Sequence, residues 1–166
     1  MKLFIKIIFL LLFSKSAFAY CDLEIVNMGS DIKSLVEKTN FVKTNNIPSS
    51  QPDFFTIPVE EFCKDSKFIM FPINFTFINN KLHQIFIEDM LTNINHLDNL
   101  KYYYGNPTEE YEDSGTTGIK YYHWDLSFKQ VFLVIKYSPT ETIQNIEIVS
   151  NRFTDLMEKY NEDLEE

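Results

Sequence analysis

Apolar residues alternate with polar ones most regularly in residues 68–88, FIMFPINFTFINNKLHQIFIE. Ile69, Phe71, Ile73, Phe75 and Phe77 recur at every second position, the period of a strand with one face against a core. Asn79-Asn80-Lys81 is turn chemistry, because Asn tolerates positive φ. Residues 82–88 then return as a second strand. A two-residue turn would set Phe77 opposite Leu82 and Phe75 opposite Gln84. A three-residue turn would set Phe75 opposite Ile85 and Ile73 opposite Ile87, which gathers the apolar side chains on one face and is the register expected here.

Other segments follow from the same reasoning. Residues 20–28 read as a short strand. Gly29-Ser30-Asp31 offers an N-cap, and Ile32, Leu35 and Val36 follow at helical spacing, so a helix is expected over residues 31–40. Pro48 and Pro52 mark residues 43–53 as a loop. Residues 54–59 suit an edge strand, since Pro58 cannot donate to a ladder. Residues 89–104 read as a helix with an Asn95/Asp98 cap and with Ile94, Leu97, Lys101 and Tyr104 on one side, ended by Gly105 and Pro107. Residues 108–118, TEEYEDSGTTG, read as an acidic loop. A meander is expected over 119–126, 131–137 and 143–150, with links 127–130 and 138–142. Those links put Phe132, Val134, Ile146 and Ile148 on a core face. They put Tyr122, Trp124, Leu133, Ile135, Tyr137 and Ile143 on the other, as a second buried face or an exposed aromatic surface. Phe153, Leu156, Met157, Tyr160 and Leu164 form the stripe of a C-terminal amphipathic helix, 153–166, with an acidic end.

The N-terminus reads as an export signal. Lys2 and Lys6 precede a short apolar run, and Ala17-Phe18-Ala19 is the small-x-small pattern of a cleavage site. A membrane span needs about 20 apolar residues, and Ser14-Lys15 interrupts the run. Lipid attachment wants a small residue before its cysteine, and Tyr20 precedes Cys21. A periplasmic or secreted protein, cleaved near Ala19 and without a stable membrane anchor, is therefore expected. Residues 1–19 are the leader, 20–152 one α+β domain with candidate halves 20–88 and 89–152, and 153–166 the terminal helix. Cys21 and Cys63, the two cysteines, then form one disulfide in an oxidising compartment or remain as two buried thiols. Loss of Lys2, Lys6 and Lys15 with the leader takes the net charge from −9 to −12. Nucleic acid and anionic membranes, which need clustered Lys and Arg, are poor partners for such a chain.

Reactive chemistry is sparse. His83, His96 and His123 lack zinc-site spacing, no GxSxG elbow occurs, and four glycines leave no phosphate-cradling loop. No metal, cofactor or catalytic residue is assigned. Tyr102, Tyr103, Tyr111, Tyr122 and Trp124 form the candidate binding surface, since Tyr and Trp combine contact area with a polar handle. The expected fold is an antiparallel sheet with short helices on one face, built as two αβββ-like repeats if the weak match between the halves is a duplication.

Residues 100–126, LKYYYGNPTEEYEDSGTTGIKYYHWDL, followed by FLVIKYS and IQNIEIV, resemble the SmpA/OmlA-type envelope domain of bacterial outer-membrane assembly. Gly105, Pro107 and Trp124 hold the places of that family's Gly-x-Pro and strand tryptophan. A tandem version of the layout is similar to the β-lactamase-inhibitor proteins, whose concave sheet grips an enzyme. The function expected is binding of another macromolecule, most simply a protein, without catalysis. Inhibition of a secreted or periplasmic enzyme is the alternative, and a small hydrolase using carboxylates a third reading.

Overall fold

The computed structural model describes residues 24, 26–39, 52–58, 72–89, 95–113 and 115–165. The expected leader, Cys21, Cys63 and their disulfide, Ile69, Phe71, Ile94 and most of the 43–53 loop lie outside them. The described elements run α1 (Ile32–Lys38), β1 (Asp53–Pro58), β2 (Pro72–Ile78), β3 (Lys81–Asp89), α2 (His96–Tyr104), β4 (Glu109–Glu112), β5 (Gly118–Asp125), β6 (Lys129–Tyr137), β7 (Thr142–Ser150) and α3 (Phe153–Glu165). The strands form one sheet in the order β1-β2-β3-β7-β6-β5-β4, and every pairing is antiparallel. The architecture is α+β, as the pattern of strands and short helices implies.

Two rows of cross-strand neighbours build the core. One runs Phe55, Phe75, Ile85, Ile148, Val131, Trp124, and the next Ile57, Ile73, Ile87, Ile146, Leu133, Tyr122. All but Tyr122 are buried, and Tyr122 packs against them half-buried. Leu35 of α1 and Leu100 of α2 join the same cluster, with Ile32, Leu97 and Tyr104 beside it. The helices α1 and α2 therefore cover one face of the sheet. Val26 to Gly29 is bend and turn, not the strand expected there.

The central hairpin combines both registers. Asn79 and Asn80 adopt φ of 53° and 61°, a two-residue turn whose twist matches the strands, and Phe77 faces Leu82. His83 is then an extra residue, a β-bulge that restores Phe75 opposite Ile85 and Ile73 opposite Ile87. A bulge reconciles tight-turn geometry with a continuous apolar face. Leu82 and His83 are consequently both buried.

The β6–β7 link corrects the assignment of faces. Tyr137 pairs with Thr142, leaving an even-numbered link, so Leu133 faces Ile146 and Val131 faces Ile148. Counting Thr142 into the link shifts the register by one residue and turns every side chain over. Phe132 and Val134 consequently leave the core face, while Trp124, Tyr122, Leu133 and Ile135 join Ile146 and Ile148 on it. The acidic loop is also partly strand, since Glu109–Glu112 pairs with β5.

Helix ends follow local chemistry. Asn95 accepts a hydrogen bond from the Asp98 backbone N–H at 3.3 Å, and its amide donates to the Asp98 carboxylate at 2.7 Å. Gly105, at φ 78°, closes α2 by donating to Lys101 O. Asp31 stands at the N-cap of α1 but its side chain makes no cap bond; it pairs with Lys81 at 2.9 Å instead.

Candidate functional site

Alternation along β5 divides the aromatic residues between the two faces. Trp124 is 1% exposed, and its indole N–H donates to Gly105 O at 2.9 Å. It is a core residue, not a surface one, and half-buried Tyr122 lies beside it on the same side. Of the two residues expected to lead the binding surface, Trp124 instead joins the end of α2 to the sheet, and Tyr122 packs against the core. Tyr104 continues the contact, its ring 6.5 Å from that of Trp124. Its hydroxyl donates to Glu24, which also receives Lys129, while Lys129 Nζ sits 5.0 Å from the Tyr104 ring centroid, a cation–π arrangement.

Tyr102, Tyr103 and Tyr111 do reach the surface, at 68%, 42% and 62% exposure. They do not form one patch with Trp124. Tyr102 and Tyr103 meet edge-to-face on α2, 5.3 Å apart. Tyr111 lies on β4 opposite Tyr121, on the face of the sheet away from the core.

That second face holds what the sequence reading missed. Tyr111, Tyr121, His123 and Phe132 are neighbours across β4, β5 and β6. His123 stacks on Phe132 at 4.7 Å and 9°, and Tyr121 lies 6.1 Å from Phe132. Glu109 Oε2 approaches His123 Nδ1 at 3.7 Å, and burial, with the Glu109 carboxylate, raises the Tyr121 hydroxyl above its ordinary pKa. His123 Nε2 and Asn145 Oδ1 are covered and have no hydrogen-bond partner among the described residues. The available signal was the parity of Tyr121, His123 and Phe132 against Trp124; it pointed to the wrong side for Phe132 because the β6–β7 register was one residue off.

Elsewhere the second face is polar and closed. Thr76 donates to Gln84 Oε1 at 2.7 Å, and Gln84 donates to Glu147 at 2.6 Å. Thr76 and Val149 are buried there, whereas Tyr121, His123, Phe132 and Val134 are half-buried. Phe128, in the β5–β6 turn, is 84% exposed.

The histidines do not converge. His83 on β3 and His123 on β5 are separated by β7 and β6, and among the described residues no group of three His, Cys, Asp or Glu could hold a metal ion. His83 Nδ1 and Ser150 Oγ are hydrogen-bonded at 2.7 Å, and burial, with the Arg152 charge, lowers the His83 pKa. No helix among the described residues is long and apolar enough to cross a membrane. In comparisons with known proteins, no family model, curated protein or solved structure matches this chain.

Proposed function

We propose that this is an exported, non-catalytic protein that binds another macromolecule through the half-open aromatic face of β4, β5 and β6. The supporting observation is the Tyr111–Tyr121–His123–Phe132 cluster, which lies on the face opposite the α1 and α2 layer. Tyrosine and stacked aromatic rings provide large, rigid contact area at low entropic cost, and such side chains dominate interface energetics.

The test compares the wild type with a Tyr111→Ser/Tyr121→Ser variant in affinity capture from envelope fractions and culture fluid, with circular dichroism as the folding control. Loss of a captured macromolecule by a folded variant supports the reading. Retention of every captured species removes this face as the site.

Enzyme inhibition is the second reading, and the same β4–β6 part of the second face motivates it, a sheet surface offered to a target as the β-lactamase-inhibitor resemblance implies. Titration against lysozymes, proteases and β-lactamases should depress the activity of one of them; a flat response across the panel removes it.

A further inference from the structure

We propose that the outer edge of β4 takes up an extended basic segment of a partner protein as an added strand. This rests on the binding reading above and names the partner's chemistry. β4 is the terminal strand of the described sheet, and all four of its residues are exposed. The Asp113 N–H donates to Ile119 O at 2.9 Å, which sets the phase of the ladder. Glu109, Tyr111 and Asp113 turn their backbone groups toward β5, so Glu110 and Glu112 point theirs outward. An edge with outward N–H and C=O groups is a template for strand addition.

Charge selects the occupant. Glu109, Glu110, Glu112 and Asp113 crowd this edge, and Lys120 engages Glu112 at 2.8 Å, a contact that holds the Lys120 pKa above its ordinary value. Glu110 makes no ion pair with a described residue. A second copy of the chain, with net charge −9, would set glutamates against glutamates across the new pairing, which is unfavourable. Lys or Arg opposite Glu110 and Glu112 relieves that repulsion. On the other face, exposed Tyr111 and Ile119 suit an apolar side chain. The occupant is therefore a segment of alternating basic and apolar residues.

The experiment titrates the full chain with a labelled peptide of alternating Lys and Val, followed by anisotropy and by backbone amide NMR. Binding should weaken with salt and fall about tenfold or more when Glu replaces Lys, or when alternate peptide amides are N-methylated. The Glu110 and Glu112 amides should shift and gain exchange protection while that of Tyr111 does not. Glu110→Pro, which removes an outward N–H at an edge that tolerates proline, should reproduce the loss. Absence of binding, or binding indifferent to N-methylation and to Glu110→Pro, overturns strand addition. If the peptide fails while Tyr111→Ser/Tyr121→Ser still abolishes macromolecular capture, the edge proposal falls and the binding reading stands. If both experiments fail, both fall.

Discussion

Replacing Trp124 by alanine tests the assignment of faces on which the site depends. Trp124 ends a buried row that continues through Val131, Ile148, Ile85, Phe75 and Phe55, and it is 1% exposed. Truncating a buried Trp or Phe to alanine costs about 3–5 kcal/mol. The lost indole bond to Gly105 O adds roughly 0.5–1 kcal/mol, the low side of the usual range, because Gly105 is exposed and water can replace the donor. A domain of this size holds only about 5–15 kcal/mol in all, so Trp124→Ala should lose a large fraction of its stability. Each kcal/mol corresponds to about 2–4 °C of Tm. Urea unfolding followed by far-ultraviolet circular dichroism is the assay, because the variant lacks the single tryptophan. Tyr121→Ala, on the opposite face of the same strand, should cost much less, about 0.5–1.5 kcal/mol. Should Trp124→Ala lose no more than about 0.5 kcal/mol, as an exposed position would, the face assignment is wrong.

Three further predictions follow from local geometry. His83 has a folded pKa below its unfolded value, so the unfolded chain takes up the proton first as pH falls. Its contribution is complete above the unfolded pKa and is lost as pH falls through the folded one; His83→Gln should flatten urea midpoints below about pH 6.5, and an unchanged pH profile would rule this out. At the Asn79-Asn80 turn, Asn80→Gly should be neutral or stabilising by about 0.5–1 kcal/mol and Asn79→Val destabilising by about 1–2 kcal/mol, measured by thermal unfolding. Equal effects of the two changes would contradict the positive-φ turn. A Cβ on Gly118 would lie 2.2 Å from both Asp113 O and Tyr137 Oη, across the Tyr137–Asp113 hydrogen bond. Gly118→Ala should therefore loosen the β4–β5 connection and increase amide exchange at Asp113, with unchanged exchange there counting against the clash.

Much of the framework was legible locally. Period-two alternation marked β2, β3 and the meander because one face of each strand is buried. Gly105 marked the end of α2 because orphan backbone groups must find partners; the helix expected from residue 89 starts later, at His96 behind the Asn95 cap, because Asp89 in β3 pairs with Gln144. Pro58 placed β1 at an edge, where the sheet of described residues has it. β4 escaped notice because EEYE carries no apolar alternation; its strand character comes from backbone pairing with β5. The aromatic site was half legible. Tyr111 stood out by composition, but reading 108–118 as a loop hid its pairing with Tyr121, and the one-residue error in the β6–β7 register put Phe132 on the core face.

The chain by itself determined that the central hairpin and the meander pleat, where α2 stops, and that two Asn residues could turn the central hairpin. Only the tertiary structure decided that His83 bulges, that β3 pairs with β7, and that Trp124 faces inward while Tyr121 and His123 face out. Local preferences act over a few residues and can be read from them. Face and neighbour are set by contacts between distant strands, where one residue more or less in a link reverses every side chain.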